Sequence, residues 1–117
     1  NLHDLEDVLG HPLCGHSWEG YCLEQIITRL PKNHSFSHYR TQAGAEIDLV
    51  IETPRGKSVA IEIKRTLSPK ITPGFLESTK TLRSTQGYFI IPAGESFPLS
   101  PTITAISLSA FLETKSW

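Results

Sequence analysis

The sequence predicts a mixed α/β domain in which one sheet, with both antiparallel and crossover connections, is flanked by helices. Three observations predict it. Glu46–Ile51 and Val59–Lys64 are alternating runs separated by Pro54-Arg55-Gly56-Lys57, the pattern of a hairpin. Leu23, Ile26, Ile27 and Leu30 recur at helical spacing between Ser17 and Pro31. Thr72-Pro73 then opens a second helical stretch, and the nearly all-apolar Tyr88–Ile91 follows it, as a buried central strand does. Helices before and after a three-stranded meander, with a crossover strand beyond, give a mixed sheet.

The elements follow in order. Residues 1–14 hold Asp4, Glu6 and Asp7 and then Gly10 and Pro12, and read as a linker or tail from a preceding domain. Residues 15–117 form the single domain. Ser17 is the N-cap of the first helix and Pro31 its stop. Glu19 stands four residues before Leu23 and seven before Ile26, at the start of the inward-facing stripe. Ser35–Arg40 reads as a strand and Thr41–Gly44 as a turn. In the hairpin, Ile47, Leu49 and Ile51 alternate with Glu46, Asp48 and Val50, and Val59, Ile61 and Ile63 alternate with Ala60, Glu62 and Lys64. Each run thus has an apolar face and a face that carries charge. Thr72 caps the second helix, Phe75, Leu76, Thr79 and Leu82 supply its inner face, and Gly87 lies just past its end. Residues 92–102, with Pro92, Pro98 and Pro101, read as a loop. A strand over residues 103–108 and a short helix capped by Ser109 complete the chain.

A chain of 117 residues fits one domain, and 38% hydrophobic residues suffice for a core. No apolar run approaches the roughly 18 residues of a membrane helix, and no signal peptide precedes the domain. Methionine is absent altogether, which suggests a domain excised from a longer protein. Cys14 and Cys22 match no zinc spacing; they read as buried reduced thiols of a cytoplasmic protein, with a Cys14–Cys22 disulfide as the alternative. The five histidines show no His-x-x-x-His spacing on a helix, and no glycine-rich phosphate loop is present, so the piece is neither a zincin nor an ATPase core. Charge is segregated: residues 1–54 sum to −5 and residues 55–83 to +5. The basic middle reads either as a phosphate-binding face or as ordinary solvated surface.

If the hairpin pairs in the register its turn implies, Asp48, Glu62 and Lys64 meet. Hard carboxylate oxygens beside an ammonium suit metal-assisted hydrolysis of a phosphodiester. Asp48, Glu62 and the backbone carbonyl of Ile63 would bind Mg²⁺ or Mn²⁺. Lys64 would position water or stabilise charge on the phosphate. Glu19 would be a further ligand from the helix; otherwise it is a first-turn glutamate favoured by the helix dipole. The alternative for Glu62 and Lys64 is a solvated pair on an edge strand. Glu46 ranks below Asp48 as a nearby supporting group or ligand. Arg40 either touches phosphate or pairs with Glu46 or Asp48. Arg40, Arg65, Lys80 and Arg83 are the candidate contacts to a nucleic-acid backbone.

These residues resemble a known pattern. Asp48 matches the aspartate of the PD-(D/E)xK nuclease superfamily, Glu62 and Lys64 match its (D/E)xK pair, and Glu19 matches the helical glutamate of many members. More narrowly, Trp18-Glu19-Gly20-Tyr21, Tyr39-Arg40-Thr41, Gly44-Ala45-Glu46-Ile47-Asp48 and Ile61-Glu62-Ile63-Lys64 resemble the domain of unknown function at the C-terminus of many prokaryotic AAA-type ATPases. The motifs cover roughly residues 15–66. One departure is that Ile47, not proline, precedes Asp48. The resemblance implies a restriction-endonuclease-like αβββαβ core, Mg²⁺ or Mn²⁺ as cofactor, DNA as partner and an N-terminal ATPase domain in the same polypeptide. It implies a metal-dependent nuclease domain acting on DNA, or alternatively a non-catalytic DNA- or protein-binding accessory domain of that ATPase.

Overall fold

In the computed structural model, residues 17–42, 44–84 and 86–114 are described. The chain forms two units, residues 1–31 and residues 32–117. The linker expected over residues 1–14, and Cys14 with it, lies outside the described residues.

The first unit contributes helix α1, Trp18–Thr28. Ser17 caps it as expected: its backbone is extended and its Oγ accepts from Gly20 N at 2.9 Å. The fully buried side chains are Cys22 and Ile26, one turn apart, with Leu23, Ile27 and Leu30 half-buried. Glu19 is exposed, contrary to the inward stripe expected for it. Side chains lean toward a helix's N-terminus, so a first-turn residue projects past the end of the helix rather than onto its face. Cys22 is a free thiol whose pKa is pushed up to about 12, first by burial and then by the charge of Glu19. A thiol in that state is inert, which suits a structural role.

The second unit is one six-stranded mixed sheet in the order β1-β2-β3-β4-β6-β5. Its elements are β1 (Ser35–Arg40), β2 (Glu46–Glu52), β3 (Ser58–Ile63), α2 (Pro73–Thr81), β4 (Gln86–Ile91), β5 (Phe97–Ser100), β6 (Ile103–Ser107) and α3 (Leu108–Thr114). β1, β2 and β3 form the antiparallel meander. The turn between β2 and β3 closes through Thr53 N to Lys57 O at 2.9 Å and needs Gly56, whose φ is +81°. β4 then runs parallel to both β3 and β6, which explains its apolar run: Phe89, Ile90 and Ile91 are shut off on both faces.

Both faces of the sheet are buried, not one as the alternation suggested. Val50, Ala60, Phe89 and Ile103 pack with Ile47 and with Phe75 of α2 in one cluster. Phe75 meets Phe89 edge-on at 4.9 Å. On the opposite face, Leu49, Ile51, Val59, Ile61 and Ile106 are buried, and Phe111 of α3 meets Tyr88 at 5.0 Å. Charge is therefore confined to the strand ends.

β2 is also not a simple alternating strand. Ser37 pairs with Val50 and Tyr39 with Ile47, so two steps of β1 span three of β2. This bulge puts Asp48 and Leu49 opposite His38 and breaks the alternation, which is why Ile47 and Val50 join the same cluster.

Four local expectations change. β5 lies within the stretch read as a loop; it is a short edge strand, where Pro98 costs no internal ladder bond. α2 keeps its Thr72 cap, with Thr72 Oγ1 accepting from Phe75 N at 3.2 Å, but its buried residues are Phe75 and Ser78, while Leu76 is exposed. The helix ends through Arg83 at φ 55°, not through Gly87. Gly87 instead sits inside β4, where a Cβ would meet Ile103 Cγ1 at 3.1 Å. α3 is capped by Ser107, whose Oγ accepts from Ala110 N at 3.3 Å, not by Ser109. No helix among the described residues is long and apolar enough to cross a membrane.

Candidate functional site

The regular ladder of β2 and β3 ends at Leu49 and Ile61. One residue further on, Asp48 and Glu62 close the gap with their side chains. Ile63 N donates to Asp48 Oδ2 at 2.8 Å, and Asp48 N donates to Glu62 Oε1 at 3.2 Å. Each carboxylate thus stands in for a strand carbonyl, which satisfies two backbone donors where the strands part. β2 is also bulged against β1 at this point.

Lys64 completes the cluster. Its Nζ lies 3.6 Å from Glu62 Oε2 and 5.0 Å from the centre of the Phe89 ring. The main chain fixes this position, because Lys64 N donates to Ile90 O at 2.8 Å and continues the parallel ladder. The Lys64 and Glu62 side chains are only 23% and 17% exposed. Glu62 is pushed up to about 7, first by burial and then by the Asp48 charge; Lys64 and the bond from Asp48 N pull the other way. Two carboxylates and one ammonium in a half-buried site leave an excess negative charge, which favours the protonated form of Glu62.

The structure therefore brings together three of the sequence-predicted residues, Asp48, Glu62 and Lys64. Arg40 resolves as the partner of Glu46, at 3.1 Å and exposed. Arg65 is exposed directly after Lys64, and Lys80 is exposed in the last turn of α2. Arg83 belongs to the other end of the sheet. Its neighbour Ser84 reaches Ser58 at 3.3 Å, and Ser58 is four residues, roughly 13 Å of strand, from Glu62. Glu19 lies in the first unit, on α1. Among the described residues no three of His, Cys, Asp and Glu converge as a group able to hold a metal ion.

Sequence reasoning missed Phe89 beneath Lys64, and His38, whose Nδ1 lies 3.4 Å from Asp48 O. Phe89 is set by the parallel register that pairs it with Glu62. A crossover connection signals that pairing, but not its register. His38 is set by the bulge, for which β2 carries no glycine or other marker.

No solved structure matches the chain. Two uncharacterized mycobacterial proteins do: Mb2031c of Mycobacterium bovis and Rv2008c of Mycobacterium tuberculosis. Each is 36% identical over 106 residues, or 91% of this chain and 24% of the relative. The chain thus spans about a quarter of the length of the curated relatives it matches. Residues 14–111, a stretch that includes the whole Asp48–Glu62–Lys64 cluster, match the model of a domain of unknown function, DUF4143, and the chain belongs to that family.

Proposed function

We propose that this chain is a nuclease-like domain with a restriction-endonuclease-like αβββαβ core of the PD-(D/E)xK type, hydrolysing DNA phosphodiester bonds with Mg²⁺ or Mn²⁺. The observation that carries the reading is the convergence of Asp48, Glu62 and Lys64 at the parting of β2 and β3. The order α1-β1-β2-β3-α2-β4 agrees with such a core.

The donor set fits a hard divalent cation. Its ligand atoms are carboxylate oxygens, and Glu62 is raised to about 7 by burial and by Asp48, the mark of a site short of positive charge. Asp48, Glu62 and the Ile63 carbonyl would hold the ion. Two carboxylates are what Mg²⁺ commonly takes from a protein when water and phosphate supply the rest. Bound there, the cation would lower the pKa of water and stabilise charge on phosphate. Lys64, fixed by its main chain and by Phe89, offers N–H donors to a phosphate oxygen beside the carboxylates. Glu19 joins the set on the sequence resemblance alone. Arg40, Arg65, Lys80 and Arg83 stay candidates for the DNA backbone, as does an ATPase domain for the remainder of the polypeptide.

A second reading is favoured by one observation. The carboxylates already cap backbone donors and Glu62 already pairs with Lys64. Under it the cluster is a structural clasp in a non-catalytic accessory domain that binds DNA or protein. Incubating plasmid and single-stranded DNA with the chain and Mn²⁺ separates the two. The first reading expects cutting by the wild type and a loss of about 100-fold or more in Lys64→Ala. Equal absence of cutting in both removes the catalytic claim.

A further inference from the structure

The end of the sheet away from Asp48 and Glu62 has a different charge character. Three segments of the chain meet there. Lys32 stands three residues before β1, and Ser35 at the start of β1 pairs with Glu52 at the end of β2. Glu52 pairs in turn with Ser58, the first residue of β3, so the turn that carries Arg55 and Lys57 projects from the same end. Ser58 Oγ lies 3.3 Å from Ser84 Oγ, which brings in the C-terminal end of α2 with Lys80 and Arg83.

Segments 32–35, 52–58 and 80–84 carry five lysines and arginines and one carboxylate, Glu52, in a chain whose net charge is −1. All five cations are exposed, and none is in an ion pair among the described residues. The dipole of α2 accounts for Lys80 and Arg83 near its C-terminus, but not for Lys32, Arg55 and Lys57. Like charges gathered without partners repel one another, so folding alone does not favour the arrangement, whereas a polyanion does. From β1 to β4 the row crosses three strand spacings, about 14 Å. That is the length of about four successive phosphates along one strand of a duplex. Protein partners are held chiefly through aromatic and apolar anchors. The exposed large hydrophobic side chains, Tyr21, Phe36, Leu67 and Leu76, all lie outside these segments. Cations without such anchors suit a phosphodiester backbone better than an acidic protein.

We propose that this end of the sheet binds the phosphate backbone of a nucleic acid through Lys32, Arg55, Lys57, Lys80 and Arg83, without reading its bases. Ser58 is roughly 13 Å of strand from Glu62, so the surface is separate from the carboxylate cluster. It is compatible with either reading of that cluster and rests on neither.

Fluorescence anisotropy of a labelled DNA duplex of about 20 base pairs, titrated with the 117-residue chain in EDTA, tests it. Nothing is cut in EDTA, so failure of the nuclease reading leaves the result readable. Binding with Kd below about 10 µM is expected at about 50 mM salt, with a slope of log K against log salt of about −4. Lys57→Gln is expected to weaken binding about threefold and to flatten the slope by about one. Arg55→Gln/Lys57→Gln is expected to weaken it about tenfold and to flatten the slope by about two. Lys70→Gln removes the same charge from the loop between β3 and α2, at the other end of the sheet, and is expected to leave binding within about 1.5-fold. The turn is closed by main-chain bonds, Thr53 N to Lys57 O and Gly56 N to Thr53 O, so the variants keep it. The proposal is overturned if the duplex does not bind, or if Lys57→Gln weakens binding no more than Lys70→Gln. It is equally overturned if polyglutamate displaces the labelled duplex as well as unlabelled duplex does at equal charge, which assigns the surface to an acidic protein.

Discussion

Arg40 and Glu46 meet at 3.1 Å with their side chains 64% and 44% exposed; Lys64 and Glu62 meet at 3.6 Å with 23% and 17% exposed. By distance the first pair is the better. By environment the second matters more, because water screens the first and leaves the second in a region of lower dielectric. The second pair also has neighbours that the first lacks: Asp48 on one side and the Phe89 ring on the other. Burial and a third charge turn an ion pair into a site with chemical potential, whereas short contact alone does not.

Measurements on both pairs test this contrast. The most direct effect is expected in Mn²⁺ affinity. Asp48→Ala should weaken it by about 30-fold or more in calorimetry, and Arg40→Ala should leave it within about twofold. Equal losses in the two would mean that the exposed pair supports the ion as much as the half-buried cluster does.

Next is the pH dependence of stability. Glu62 holds its proton to about pH 7 in the fold but only to its ordinary 4.5 when unfolded. Both forms are protonated below pH 4.5. Above it the unfolded chain releases the proton first, so stability should fall as pH rises from about 4.5 to 7. The fall is about 3 kcal/mol if the shift is taken whole. Urea denaturation of wild type and Glu62→Gln without divalent cations checks this. The variant should lack the slope and be the more stable protein at pH 8. A wild type with a flat profile would show that Glu62 is an ordinary carboxylate.

Smaller again is Phe89→Leu, expected to cost about 1–2 kcal/mol by thermal denaturation through lost packing against Phe75. The smallest effect belongs to the exposed pair. Glu46→Gln should change stability by no more than about 0.5 kcal/mol, and 0.5 M NaCl should abolish even that. A loss above about 1 kcal/mol would mean that the exposed pair carries weight its surroundings do not suggest.

What the chain discloses in advance divides along the same line between local and distant causes. Ser17 and Thr72-Pro73 announce their helices because a cap is made within three residues. The hairpin is legible because Gly56 and the two alternating runs set one another's register. That was enough to bring Asp48, Glu62 and Lys64 together from sequence. β5 was not legible, since Pro98 argues against a strand unless the position is known to be an edge. Nor was the β2 bulge, because an extra residue shows only when β1 is laid alongside. Glu19 is exposed because it stands in the first turn and not in mid-helix, a distinction that apolar spacing alone does not carry.

The exchange of carbonyls for carboxylates at the parting of β2 and β3 also equips the molecule with a gauge. The amide protons of Asp48 and Ile63 are sheltered by acids rather than by the strand opposite. Their rates of exchange with deuterated water therefore follow the occupation of those acids, while neighbours such as Lys64, bonded to the Ile90 carbonyl, do not. Anything that draws either carboxylate away, whether a cation or a neutralising substitution, should quicken exchange at one or both of these two amides and leave the rest of the sheet as a silent reference.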